Sequence, residues 1–396
     1  MFSDRATWDI SPNLLSRLLE KKKAGSEIIF DLTASNPTRA GFHYEDKKIL
    51  TALAQPRAMV YEPDPRGLAI AREAVKDYYQ ELGKKIDMNS IFLTASTSEA
   101  YSVLFKLLGN SNDEILIPRP GYPLLSFLAV FEDLRPVAYP LKYDDARGWS
   151  MDLEILQALI TPCTRAVVVV NPNNPTGSYL KETELKALDS ICREHDLALI
   201  VDEVFSDFGA APKPDRVRTA VNRSTALTFV LNGLSKVAGL PQMKLGWIVV
   251  GGKSALAETV QARLEMMLDF YLSVSTPVQH AAKKLLQGRN AIQEQMVSRL
   301  DENSCFLKEQ LAKTANCKLL QREGGWYAIL EISDSILDED RVLQLLEKDN
   351  TLVHPGYFYG FDREGFVVVS LLTPVETFQA GILRLIARFG SQLNAL

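Results

Sequence analysis

Short apolar runs alternate with segments of helical periodicity from about residue 90 to residue 250, and this alternation restricts the fold more than any other feature. The runs are apolar at nearly every position, which is typical of strands in a parallel sheet that helices cover on both faces. We therefore predict an α/β fold whose large domain has a mostly parallel seven-stranded sheet flanked by helices. The apolar runs lie at 91–94, 114–118, 166–170, 197–201, 226–231 and 246–250.

The C-terminal third has a different pattern, in which long amphipathic segments are followed by mixed elements. Helical patterns at 261–267 and 281–311 precede strand-like runs at 325–330 and 366–371 and a closing helix at 375–389. This pattern predicts a smaller α+β domain. The expected division is an N-terminal arm that joins the small domain (1–45), a large domain (46–280) and a small C-terminal domain (281–396).

Composition excludes several classes of function. The chain has 396 residues, a formal net charge of −5, four cysteines without paired spacing and four histidines without metal-ligand spacing. Such a charge is not typical of a nucleic-acid-binding surface, and no apolar run reaches the roughly 18 residues of a membrane-spanning helix. The first residues do not resemble a signal peptide, and the cysteines are typical of reduced thiols. We expect a cytoplasmic globular protein of the size of an enzyme, without a metal site and without nucleic-acid or membrane partners.

Polar residues follow several of the predicted strands. Lys236 comes shortly after the run at 226–231, a poor position for a surface lysine. A buried amine loses its charge because desolvation lowers its pKa, and it can then form a Schiff base with a carbonyl group. Ser96, Asn174 and Asp202 also follow predicted strands. Since ligands bind beyond the carboxyl ends of such strands, the four residues should meet at one site.

Each motif alone has a simpler explanation. Ser96 could be an ordinary helix cap, although a helix N-terminus also suits a phosphate group. The segment 171–177 could be a rigid turn without chemistry. Asp202 could be a structural carboxylate, because a buried carboxylate needs a cation or a proton donor as partner. The sequence favours a ligand site only when the motifs are taken together.

In their order and spacing, the motifs resemble those of the fold-type-I, class I/II aminotransferases, enzymes that depend on pyridoxal 5′-phosphate (PLP). The resemblance covers nearly the whole chain. The residues that carry it are, in chain order, Tyr61, Ser96, Thr97, Ser98, Tyr122, Asn174-Pro175-Thr176-Gly177, Asp202 and Lys236.

The resemblance implies a role for each residue. Lys236 would form the Schiff base with PLP and then act as acid and base, and Asp202 would keep the pyridinium nitrogen protonated. Asn174 would hydrogen-bond the ring O3′ oxygen, and Tyr122 would stack on the ring. The residues implied for the phosphate are Thr97, Ser98 and Ser235, with Ser96 nearby. Tyr61 would reach the phosphate of a neighbouring subunit, which implies a homodimer with shared active sites.

Three positions depart from the family pattern. Lys244 stands where the family usually has an arginine on the phosphate, so the charge is kept without the bidentate geometry of arginine. Phe205 stands where many members have a tyrosine that bonds O3′. Val368 stands where the family has the arginine that binds the substrate carboxylate, so either Arg39 or Arg363 replaces it or the substrate is not an ordinary α-amino acid. Aromatic residues that could line the pocket are Trp326, Tyr327, Tyr357, Phe358 and Tyr359.

We predict an aminotransferase that moves an amino group between an amino acid and a 2-oxo acid through pyridoxamine phosphate, in a ping-pong cycle. The alternative is a PLP-dependent lyase of the same fold, which would use the same lysine and aspartate for β-elimination or decarboxylation. A PLP-binding transcriptional regulator would need an additional basic domain before Tyr61, and the preceding segment is too short for one.

Overall fold

The computed structural model describes residues 2–209, 213–252 and 256–391, so the predicted outer limits at residues 1 and 396 lie outside the described residues. The strands are β1 (Phe30–Asp31), β2 (Ile91–Thr94), β3 (Glu114–Arg119), β4 (Arg135–Asp144), β5 (Gly148–Met151), β6 (Thr164–Val170), β7 (Ala198–Asp202), β8 (Thr228–Gly233), β9 (Gly246–Gly251), β10 (Cys317–Leu319), β11 (Tyr327–Ile332), β12 (Thr351–Leu352), β13 (His354–Pro355) and β14 (Phe366–Ser370). The α-helices are α1 (Leu14–Ala24), α2 (Asp46–Leu53), α3 (Ala69–Glu81), α4 (Thr97–Leu108), α5 (Leu124–Phe131), α6 (Leu153–Ala158), α7 (Glu182–Glu194), α8 (Leu234–Val237), α9 (Ala257–Asp269), α10 (Thr276–Gln287), α11 (Arg289–Leu311), α12 (Asp338–Asp349) and α13 (Val375–Phe389).

The largest sheet has eight strands in the order β2-β9-β8-β7-β6-β3-β4-β5. Strands β4, β3, β6, β7 and β8 run parallel to their neighbours in this series, whereas β9 is antiparallel to both β2 and β8. The predicted α/β class and mostly parallel sheet are confirmed. The predicted number of seven strands is one too low, because β5 adds to the edge as the second strand of an antiparallel hairpin with β4. The hairpin was not predicted because β4 has no continuous apolar run. Its residues are mostly half-buried or exposed, and several are polar.

The central strands are apolar on both faces because a separate core lies on each side of the sheet. In β6, Val167 and Val169 pack into one core, and Val168 and Val170 pack into the other. The register pairs Val170 with Asp202, and Asp202 with Leu231. The carboxyl ends of β6, β7 and β8 therefore lie side by side, and the segments that leave them begin at the same edge.

The C-terminal part has its own four-stranded antiparallel sheet, in the order β10-β11-β14-β13. A core between this sheet and helices α11, α12 and α13 includes Trp326, Leu345 and Phe378. The predicted smaller C-terminal α+β unit is therefore present. Residues from the N-terminal end join it, since β1 pairs in parallel with β12 and the Ser370 N–H donates to Leu32 O over 2.7 Å. These contacts support the proposed assignment of 1–45 to the small domain.

Candidate active site

Lys236 lies on α8, directly beyond the end of β8. The end of β8 lies close to the paired strand β9, since a Cβ at Gly233 would lie only 3.0 Å from Gly246 Cα. Burial lowers the pKa of the Lys236 amine to about 8, although the negative charge of Asp202 acts in the opposite direction. A substantial fraction of the amine is therefore neutral near physiological pH, as a nucleophilic lysine requires.

Asp202 ends β7 with only 5% of its surface exposed. One carboxylate oxygen, Oδ2, accepts a hydrogen bond from the Tyr101 hydroxyl at 3.0 Å, and the other accepts from the Val204 N–H at 3.1 Å. Burial raises the pKa of Asp202 to about 6, and these hydrogen bonds and the charge of Lys236 limit the increase. Asp202 is thus a buried anion at neutral pH whose charge acts on the amine of Lys236. Tyr101, which holds it, was not among the predicted site residues.

The segment 171–177 is hydrogen-bonded to the end of β7 and to the loop that follows β3. The Asn171 N–H donates to Asp202 O over 2.7 Å, and the Asn173 side-chain amide donates to Pro120 O over 3.1 Å. Asn174 is only 7% exposed, and its Oδ1 atom has no hydrogen-bond partner among the described residues. Since buried polar atoms are usually satisfied, the Asn174 amide is suited to a ligand. Asn171 and Asn173 hold the loop and were not predicted as site residues.

Tyr122 lies between the two parts of the protein. The preceding Gly121 N–H donates to Tyr359 O over 2.9 Å, which connects this loop to the C-terminal part. Burial raises the pKa of the Tyr122 hydroxyl to about 12, and the negative charge of Asp202 acts in the same direction. Tyr122 is therefore a neutral, largely buried side chain in the region of Asp202.

The N-terminus of α4 also opens at this edge. Ser96 is the helix cap, since its hydroxyl accepts from the Glu99 N–H at 3.1 Å. Thr97 and Ser98 occupy the first turn, half-buried, and their hydroxyls have no hydrogen-bond partner within the described part of the chain. Free N–H groups and hydroxyls at a helix N-terminus attract anions such as phosphate. Ser235 is half-buried beside Lys236.

Two of the predicted site residues, unlike the others, are exposed to solvent. Lys244 is exposed, with a left-handed φ of +50°, and Tyr61 is 75% exposed. Neither forms a hydrogen bond or ion pair with Lys236 or Asp202 in the described residues.

Three residues concern the missing arginine that binds the substrate carboxylate in the family: Val368, which stands in its place, and the two candidate replacements, Arg363 and Arg39. Val368 is fully buried in β14, in an apolar cluster with Trp149, Ile329 and Tyr359. Arg363 lies at the surface, where it forms an ion pair with Glu331 and covers the Phe366 ring at 4.4 Å. Arg39 is exposed at the end of a short 3₁₀ helix.

The chain can now be compared with known proteins. Residues 6–380 match the family Aminotransferase class I and II. The chain belongs to this family. This aminotransferase is 27% identical to the glutamate-pyruvate aminotransferase AlaA of Escherichia coli over 99% of its own length and 98% of that protein. It is 28% identical to an alanine aminotransferase of Mycobacterium tuberculosis, over 84% of this chain and 79% of that one.

Solved structures agree with the family assignment. The aminotransferase superimposes on an Escherichia coli aminotransferase with a TM-score of 0.87 and 26% identity, covering 100% of this chain and 99% of the other. An alanine aminotransferase of Pyrococcus furiosus, at 23% identity, has the same fold with a TM-score of 0.87 over 98% and 99% of the two chains. The predicted amino-group transfer is confirmed, and these relatives give the lyase alternative no support. Among the described helices, none has the length and apolar character that a membrane span needs.

Proposed function

We propose that this aminotransferase uses PLP to move an amino group between an amino acid and a 2-oxo acid, with Lys236 and Asp202 as its catalytic residues. The observation that carries the proposal is the placement of the half-buried Lys236 directly beyond β8 and of the buried Asp202 at the end of the neighbouring strand β7. Burial lowers the pKa of the amine to about 8 and raises that of the carboxyl group to about 6. When bound, PLP supplies an electron sink that stabilises negative charge on the substrate carbon.

The residues at the site fit this cofactor. PLP needs an amine for its aldehyde, an anion for its ring nitrogen, a polar contact for its ring oxygen and an anion site for its phosphate. We assign these to Lys236, Asp202, Asn174 and the α4 N-terminus respectively. The Asn174 side-chain amide, which makes no hydrogen bond within the described residues and could donate from Nδ2 to the ring oxygen, supports the assignment, as do the unpartnered hydroxyls of the first turn of α4. The proposed phosphate contacts are Thr97, Ser98, Ser235 and Lys244, with Ser96 as the cap.

The protein groups act by holding and moving protons. Because the pKa of Asp202 is about 6, its carboxylate is charged at pH 7 and can hold a ring N–H in place. The Tyr101 hydrogen bond fixes the carboxylate orientation. The Lys236 amine, with a pKa of about 8, can accept and return a proton at Nζ near physiological pH. Tyr122 would cover one face of the cofactor ring and exclude water from it.

An amino-donor screen tests this function. Purified holoprotein is mixed with single amino acids, and the visible absorption of its bound cofactor is recorded before and after a 2-oxo acid is added. The names of the relatives make alanine, glutamate and pyruvate the first compounds to test. We expect a productive donor to change the spectrum and the matching 2-oxo acid to reverse the change. Release of ammonia or CO2 without reversible conversion of the cofactor would contradict the proposal and indicate a lyase.

We also propose a homodimer in which Tyr61 contributes to the active site of the neighbouring subunit. The 75% exposure of Tyr61 and the 89% exposure of the adjacent Met59 support this assignment, because such apolar side chains favour burial against a partner. The free cysteines support the proposed cytoplasmic location.

Subunit mixing tests the shared site. In a mixed dimer of one Lys236→Ala and one Tyr61→Ala subunit, both defects fall in the same active site, and the other active site has both native residues. We therefore expect activity to increase when the two variants are unfolded together and refolded. Activity that stays at the mean of the separate variants would contradict a contribution of Tyr61 to the partner's site.

A further inference from the structure

Trp326 reaches from the C-terminal part of the protein to the catalytic lysine. It lies directly before β11 and is fully buried. The Gly325 N–H donates to Phe208 O over 2.9 Å, and the Leu371 N–H donates to Trp326 O over 2.8 Å. A Cβ at Gly324 would lie 2.9 Å from Phe208 O, so glycine allows this close approach. The backbone around Trp326 is thus held between the two parts of the protein.

The indole ring is packed on an aromatic surface that also contacts the lysine. Its centroid lies 5.2 Å from that of Phe205 and 5.1 Å from that of Phe208, both edge to face. Lys236 Nζ lies 4.7 Å from the Trp326 ring centroid and 5.5 Å from that of Phe205. Within the described residues, Nζ forms no hydrogen bond or ion pair, so its contacts with these two rings determine where it lies. A cation within about 6 Å of an aromatic face is attracted to it.

We propose that Trp326 is a positioning residue for Lys236, whose amine it holds against the indole face with the help of Phe205. This inference rests on the proposed catalytic role of Lys236 and adds a residue that positions its amine. A residue from the C-terminal part of the chain then positions the catalytic lysine, although Lys236 and Asp202 lie at the ends of strands of the large sheet. Phe205 has no hydroxyl to compete for the amine, so the contact is made through ring faces alone.

The two effects of Trp326 on the amine have opposite signs. The ring excludes water, which favours the neutral amine, and its face attracts the ammonium ion, which favours the charged form. Asp202 is the titratable group whose charge acts on Lys236, and its partner Tyr101 is neutral. Substitutions that remove one effect and keep the other should therefore move the Lys236 pKa in opposite directions. A residue that only stabilised the fold would not produce this pattern.

Competitive labelling of cofactor-free protein measures this pKa directly. Acetic anhydride is applied from about pH 6 to about pH 11, with a small reference amine present, and the Lys236 peptide is quantified by mass spectrometry. Trp326→Leu keeps an apolar side chain and removes the aromatic face, so we expect the Lys236 pKa to fall by about 0.5 to 1. Trp326→Ala admits water, so we expect it to rise by about 1 or more. Trp326→Phe should leave it near the wild-type value.

Trp149→Leu is the matched control. Trp149 of β5 is also a buried tryptophan with an unpartnered Nε1 atom, but it packs on Tyr143 and Phe361. It should lower thermal stability without changing the Lys236 pKa. If Trp326→Leu does not fold, Phe205→Leu should give a smaller decrease in the same direction. A Lys236 pKa that Trp326→Leu leaves unchanged overturns the inference.

Different results would contradict the positioning role of Trp326 and the proposed function. Labelling reports the environment of Lys236 without the cofactor and without turnover. If Lys236→Ala retained full transferase activity, the proposed function would fail whatever the labelling showed. If Lys236→Ala were inactive and Trp326→Leu did not change the pKa, the positioning role alone would fail.

Discussion

Lys236→Ala is expected to reduce amino-group transfer by a factor on the order of 10³ or more, because both the nucleophile and the proton-transfer group are removed. The loss should appear in kcat, since proton transfer takes place after the substrate has bound. Single-turnover absorbance changes with a productive amino donor would measure it. The fold should remain intact, because removing a buried amine removes a desolvation cost together with its contacts.

Lys283→Ala provides the control for this substitution. Lys283 is a half-exposed lysine of α10 that forms an ion pair with Asp77. Exposed ion pairs contribute about 0 to 1 kcal/mol, so this variant should fold and turn over like the wild type. Wild-type single-turnover rates in Lys236→Ala would remove Lys236 from the mechanism.

Asp202→Asn is expected to lower activity by a factor on the order of 10² or more while it raises stability at neutral pH. The amide keeps the shape of the carboxylate and can still bond Tyr101 and Val204, but it cannot balance a positive charge on a ring nitrogen. The buried negative charge of Asp202 is costly, since its folded-state pKa of about 6 is above the usual value. We expect the free energy of unfolding at pH 7 to increase by about 1 to 3 kcal/mol, measured by urea denaturation.

The sign of the pH dependence makes this prediction specific. A raised pKa means that the folded protein binds more protons than the unfolded chain between about pH 4 and about pH 6. The wild type therefore loses stability, relative to Asp202→Asn, as the pH rises through that window. The advantage of the variant should disappear below about pH 4, where Asp202 is protonated in both states.

Asp113→Asn should show the opposite behaviour. The Asp113 carboxylate accepts two hydrogen bonds from the Arg165 guanidinium, which lowers the pKa of Asp113. Its ionised form is stabilising, so the asparagine variant should be less stable than the wild type at pH 7. Equal stability changes in Asp202→Asn and Asp113→Asn would show that the buried charge of Asp202 is not costly.

The sequence was sufficient for those parts of the fold that rest on local patterns. The continuous apolar runs predicted the central strands. The positions of Lys236, Asp202 and Asn174 directly after these runs predicted the edge of the sheet at which they lie. The hairpin of β4 and β5 could not be predicted in this way, because β4 mixes exposed and half-buried residues and so lacks a continuous apolar run. Local pattern alone therefore gave a sheet with too few strands.

Partners that lie far apart along the chain were harder to predict. Tyr101 bonds Asp202 across 101 positions, and in the sequence it is simply a buried aromatic residue of α4. Trp326 was one of several aromatic residues that could have lined the pocket, and only the tertiary fold brings its ring to 4.7 Å from Lys236 Nζ. The role of such residues depends on tertiary distance, which no local pattern contains.

The pairing of β1 with β12 has a consequence for how the protein is made. Phe30 aligns with Thr351, about 320 residues later in the chain. At a synthesis rate of about 5 to 20 residues per second, the N-terminal segment waits on the order of tens of seconds for its partner strand. The large sheet has left the ribosome by then, whereas the small domain has both chain ends as components. Its assembly is therefore late, because it joins an N-terminal segment to a strand synthesised about 320 residues later.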